Sequence, residues 1–158
     1  MAVECAYNNI EYSLIDYIAA QLSISGYSNV TVSKNYKNVE AGQLPTIVVG
    51  LLNSTPKRRE VGSNSLTESP QVVIRIFATT DGERATLAQW LLTKLMGTVD
   101  FNTYTINNGT ATHTHNGYIH IVSILSNGKE YEFLEGLEPE DRFRHKIAFT
   151  VSARGLTR

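Results

Sequence analysis

The sequence holds one cysteine, Cys5, one tryptophan, Trp90, and no long apolar run. A single cysteine excludes an internal disulfide, and a reducing compartment fits that usage. No stretch approaches the about 18 apolar residues of a membrane-crossing helix, so no membrane span is expected. An excess of either charge is also missing. Fourteen Lys plus Arg stand against 15 Asp plus Glu, a net charge of −1, which gives no electrostatic footprint for non-specific nucleic-acid binding. The opening MAVECAYNNIEY has no basic region followed by an apolar stretch. A chain kept in a cytoplasm, or leaving it by a route other than secretion, is therefore expected. GxSxG, P-loop, GxGxxG and CxxC motifs are absent, so no catalytic constellation is legible and no cofactor is expected.

What is present suits a folded domain. A chain of 158 residues suggests one domain over 1–158, large enough to bury roughly 70% of the surface of its unfolded state. Ile10, Leu14, Tyr17, Ile18 and Leu22 repeat at helical spacing, predicting a helix over 9–23 with Asn8 or Asn9 at its start and Gly26 at its end. Strands are predicted at 30–36, 44–52 and 70–78. Between the last two, 53–69 reads as a long polar loop or as the arms of an extended hairpin. Thr80 with Glu83 makes a capping box for a second helix over 80–97, with Gly97 placed as its stop. Residues 98–117 suit a short strand and an exposed excursion. A hairpin is predicted from 118–125 and 129–135 about a turn at Ser126–Gly128. The order implies an α+β fold: a mostly antiparallel sheet with two helices packed on one face, plus an extended hairpin or long loop.

The final strand, DRFRHKIAFTVSAR, alternates for twelve residues. Such a strand reaches roughly 40 Å, about the diameter of a compact domain this size. It is expected to be the spine of the sheet or to project past it. One parity is apolar, with His145 read there as a satisfied core residue. The other carries Arg144, Lys146 and Arg154 toward water or a partner. On the second helix, Ala85, Ala88, Leu92, Leu95 and Met96 form a stripe flanked by Leu87 and Leu91, with Trp90 opposite its centre beside Lys94 and Thr86. Trp90 then lies either under the 98–117 excursion or in a subunit contact. Lys57, Arg58 and Arg59 form a basic triplet open to solvent, a protein or a phosphate backbone. His113, His115 and His120 place two rings on one strand face, an arrangement that can hold zinc, but no carboxylate follows until Glu130. The acidic residues Glu130, Glu132, Glu135, Glu138, Glu140 and Asp141 read as a solvated strand and turn.

The element order, with LPTIVVGLL, VVIRIFATTDGERATLAQWLLTKLMG and the closing EDRFRHKIAFTVSARG, resembles the tail terminator (tail completion) proteins of long-tailed bacteriophages over most of residues 9–154. The resemblance lies in the pattern of elements, without a signature motif. It implies a virion structural protein with no catalysis and no cofactor. Such proteins form a homo-oligomer, a hexameric ring, that caps the tail tube, ends its polymerisation and gives the head connector a docking surface. DNA passes through the ring without specific binding. The candidate partner and subunit contacts are then Lys57, Arg58, Arg59, Trp90, Lys94, Arg144, Lys146 and Arg154. The alternatives are another head–tail junction (neck or connector-completion) protein and a small metal-dependent α+β enzyme.

Overall fold

A computed structural model describes residues 7–34, 44–58, 66–131 and 143–155. The elements are α1 (Tyr7–Ile24), β1 (Thr31–Ser33), β2 (Thr46–Arg58), β3 (Leu66–Phe77), α2 (Asp81–Leu95), β4 (Val99–Asn107), β5 (Thr110–Tyr131) and β6 (Phe143–Gly155). The six strands form one sheet in the order β1-β2-β3-β6-β5-β4. The long final strand is thus interior, between β3 and β5.

The expected mostly antiparallel sheet with two helices on one face is corrected. The sheet is mixed, because β1 runs parallel to β2, and it curls into a half-barrel. Irregularities in pairing supply the bending: register shifts occur at Leu51/Ser54, Phe101/Asn102, Ile121/Ser123 and Ile124/Ser126. An extra residue on one strand increases local twist and turns the strand. Gly117 sits where β4, β5 and β6 meet, opposite Phe101 and Gly155. Its φ of 145° is open to glycine and strained for other residues.

The alternation of β6 and the periodicity of α1 meet in the main core. Ile147, Phe149 and Val151 pack with Val72, Ile74 and Ile76 of β3, with Ile10, Leu14, Ile18 and Leu22 of α1, and with Leu87, Leu91 and Leu95 of α2. Each such side chain stabilises the fold by about 1.5–3 kcal/mol through burial. A smaller cluster of Val48, Phe77 and Leu44 lies apart from it.

Three local expectations are corrected as well. Helix α1 begins at Tyr7, so Asn9 lies inside it, and its side-chain oxygen accepts the backbone N–H of Tyr104 at 3.2 Å instead of capping. Helix α2 is capped by Thr80, which accepts from the Glu83 N–H, but its buried side is Arg84, Leu87, Ala88, Leu91 and Leu95. Ala85 and Met96 face solvent. The stripe is rotated toward Leu87 and Leu91, and Arg84 lies in line with them, buried and donating to the Ala78 carbonyl at 2.7 Å and to Asp81 at 2.6 Å. No turn interrupts β5 at Ser126–Gly128, since those residues pair in series with Ala148, Ile147 and Lys146 of β6. Of the two readings for 53–69, the hairpin arms are found: Ser54–Arg58 pairs with Leu66–Pro70. The excursion at 98–117 is the β4–β5 hairpin, turned by Asn108 (φ 51°) and Gly109 (φ 78°).

Candidate interaction surface

The β3–β6 ladder ends at Gln71 and Thr150, while β2–β3 pairing runs on to Arg58 and Leu66 and β5–β6 pairing to Gly117 and Gly155. Beyond Gln71 the sheet therefore divides into two ribbons, β2–β3 and β6–β5–β4. The first half of α1 spans the division. Glu11 accepts the Leu51 N–H at 3.1 Å on β2, beside the point of division, and pairs with Lys34 at 3.3 Å. On the other ribbon, Asn9, Ser13 and Asp16 lie three to four residues apart along one helix face. Asn9 holds Tyr104 as above. Ser13 Oγ accepts the Asn102 N–H at 3.0 Å and donates to the Asn102 carbonyl at 3.3 Å. Asp16 accepts the Tyr104 hydroxyl at 2.5 Å. Burial, with this carboxylate beside it, pushes the Tyr104 phenol up to about 12. Strand β4 is an outer strand of the sheet, and α1 occupies the open backbone groups of Asn102 and the Tyr104 N–H.

The free side of β5 is different. Strand β4 leaves β5 at Val99–Ile119, and from His120 to Tyr131 β5 pairs only with β6 among the described residues. Among the described residues this is a long sheet edge with an apolar stretch at Ile121–Leu125: Val122 is 61% exposed, Ile124 45% and Leu125 52%. Val122 and Leu125 are the extra residues at the two register shifts, without a Cα partner on β6. Each shift lets two successive side chains avoid the core. An uncovered apolar edge is a template for association, and bulges limit its use as a simple strand-pairing site.

The basic and aromatic candidates do not gather in one place. Lys57 and Arg58 lie at the end of β2, on the ribbon β2–β3; Arg59 lies outside the described residues, as do Cys5, Glu132, Glu135, Glu138, Glu140 and Asp141. Trp90 packs against the end of α1 and not under the 98–117 excursion. Its indole N–H donates to Ser25 Oγ at 3.1 Å, and its ring meets Tyr27 edge-on at 5.5 Å, so it joins α2 to the end of α1. The Lys94 carbonyl accepts the Tyr17 hydroxyl at 2.7 Å. Arg144 is 2% exposed, its guanidinium 5.6 Å from the centre of the Phe77 ring, and is not open to a partner. Lys146 is half-buried opposite Arg75, and Arg154 lies in β6 opposite Tyr118. His145 is half-buried and contacts Asn127 at 2.5 Å; burial, then the Lys129 charge, holds its imidazole below the usual range.

Among the described residues no three His, Cys, Asp or Glu side chains converge as a metal site. His113 lies against Tyr104, ring centres 5.7 Å apart, and His115 against Tyr118 at 5.1 Å with Asp100 at 3.5 Å; His120 is exposed. No helix is long and apolar enough to cross a membrane among the described residues. Compared with protein-family models and with curated proteins, the chain matches none.

Proposed function

We propose that this chain is a structural subunit of a phage tail, a ring-forming terminator that caps the tail tube, ends its growth and receives the head connector. The observation that carries the reading is the uncovered apolar edge of β5 beside a sheet that divides into two ribbons. A lone globule gains nothing from exposing Val122, Ile124 and Leu125. A ring subunit needs lateral surfaces for its neighbours and a separate end for the structures above and below. The β5 edge is lateral. The β2–β3 ribbon and the β4–β5 hairpin both lie at the end of the sheet where β6 finishes, and form the axial end. The basic positions Lys57 and Arg58 then lie on a ribbon that meets protein, leaving the DNA path free of gripping charges.

Purified protein imaged by negative stain, and weighed by native mass spectrometry, is expected to form six-fold rings. Added to polymerising tail-tube protein, it is expected to arrest tube growth. Protein that neither closes into rings nor limits tube length overturns the reading. Binding to isolated portal in place of tube assigns it to the neck instead.

A further inference from the structure

The far end of β5 is held differently from the rest of the strand. After the register shift at Ile124/Ser126 the strand reads Ser126-Asn127-Gly128 and pairs on through Tyr131. Those three residues have turn chemistry, and a glycine inside a strand weakens it. Among the described residues only β6 pairs with this stretch. A hollow of about 310 Å³ lined by Ser126, Asn127, Gly128, Lys129 and Lys146 lies against it, and a Cβ on Gly128 would meet nothing within 4 Å. Two side-chain ties hold this end among the described residues. His145 Nε2 of β6 meets Asn127 Oδ1 at 2.5 Å, and Lys129 reaches Asp81 of α2 at 3.3 Å. The ties share a corner, because Lys129 is the residue directly opposite His145.

We propose that His145 is a pH-sensitive clasp: neutral, it holds the end of β5 from Asn127 to Tyr131 on β6, and protonated, it lets that end open while the rest of the sheet stays formed. Charge at the corner sets the direction. On β5 the imidazole faces Lys129, a cation, and on β3 its partner is the uncharged Ile76. From α2 come Asp81 and Arg84, but Asp81 is already shared by Arg84 at 2.6 Å and Lys129 at 3.3 Å. Along β6, Arg144 and Lys146 flank His145 on the opposite parity, and Glu130 is in register with Arg144 instead of His145. A proton on His145 therefore adds a third positive charge about one carboxylate, in a half-buried place where a charge loses part of its hydration. The neutral ring, donating Nε2–H to the Asn127 carbonyl oxygen, incurs neither cost. Burial, then the Lys129 charge, pushes the imidazole below its usual 6.5, so the opened end takes up the proton more readily than the closed one. The contribution of the clasp is complete above 6.5 and declines as pH falls from there toward the value in the closed state. Opening bares the β6 backbone groups that β5 otherwise occupies from Phe143 to Ile147. The clasp stands whether or not the chain caps a tail.

Amide hydrogen exchange on the full chain tests the clasp. With rates corrected for intrinsic exchange, the protected amides within 127–131 are expected to lose protection several-fold between about pH 7.5 and about pH 5.5, the span over which an ordinary histidine titrates. Amides within 118–121 of the same strand are expected to keep theirs. In His145→Gln, which keeps a donor and loses the titration, the two stretches are expected to change in parallel. Uniform loss along β5, no loss at 127–131, or an equal loss in His145→Gln overturns the inference. An NMR titration gives a second reading that does not depend on that variant. The His145 imidazole of the parent is expected to titrate below 6.5 and to move up in Lys129→Gln. Titration at or above 6.5, or no upward move, overturns the inference as well.

Discussion

Ser13 of α1 makes two hydrogen bonds to one residue of β4, accepting the Asn102 N–H and donating to the Asn102 carbonyl. A single hydroxyl thereby occupies both groups that an outer strand would offer to another chain. Ser13 is 1% exposed, so removing it leaves Asn102 unsatisfied against the helix. Ser13→Ala is expected to cost about 1–3 kcal/mol, measured by urea unfolding. Adding Asn9→Ala frees the Tyr104 N–H as well, and the double variant is expected to aggregate faster on mild heating than either single one.

Gly97 permits the other junction between the helices. A Cβ there would lie 3.2 Å from the Lys94 carbonyl and 3.3 Å from the Tyr17 hydroxyl, the two atoms that bond each other. Gly97 is the expected stop, directly after the Met96 cap; its φ is not positive, so what the position requires is space. Gly97→Ala is expected to destabilise by about 1 kcal/mol. In a Tyr17→Phe background the same substitution is expected to cost less, because one of the two opposing atoms is gone. A double-mutant cycle on thermal or urea unfolding measures the coupling, and strict additivity would sink this account.

Asp81 sits between Arg84, at 2.6 Å, and Lys129, at 3.3 Å. The Arg84 hydrogen bond first, then Lys129, holds its carboxyl below the ordinary 3.8. A depressed carboxylate contributes stability that is present above the unfolded value and lost as pH falls through the folded one. Stability is therefore expected to decline below about pH 3.8. Asp81→Asn is expected to flatten that part of the acid limb while leaving the profile above pH 5 parallel to the parent's. Chemical unfolding at several pH values checks both.

The parts of this fold legible in the sequence are those fixed by local repetition. Helix α1 follows from Ile10, Leu14, Ile18 and Leu22, and β6 from unbroken alternation. Strand β5 was illegible beyond Leu125 because Ser126-Asn127-Gly128 has turn chemistry. The continuous β6 partner overrides it by pairing through Tyr131 and Phe143. The apolar stretch of the β5 edge did leave a trace. Ile121-Val122 and Ile124-Leu125 are adjacent apolar pairs, and neighbours in a regular strand cannot both face one core. The contact of Trp90 with Ser25 and Tyr27 is not legible because it joins segments 65 residues apart. The buried side of α2, through Leu87, Ala88, Leu91 and Leu95, puts Trp90 on the flank facing Tyr27. The parallel pairing of β1 with β2 is a long-range choice without a local signature.

Lys57 and Arg58 end β2 on the ribbon that departs from β6, and Arg59 follows. The β3–β6 ladder stops at Gln71, well short of Leu66 opposite Arg58. Charge reversal at these positions therefore acts far from the Ile74–Ile147 core pair, and the fold is expected to persist. If the ribbon meets an acidic protein surface, Lys57→Glu with Arg58→Glu and Arg59→Glu replaces attraction with repulsion at the axial end alone. Circular dichroism and the unfolding midpoint are expected to remain near those of the parent. Joining of heads to tails in an extract assay is expected to fall at least tenfold, with the loss easing as salt is raised, because repulsion between surface charges is screened over about 10 Å at 0.1 M. Unchanged joining in a folded triple variant would dismiss the ribbon as the axial contact.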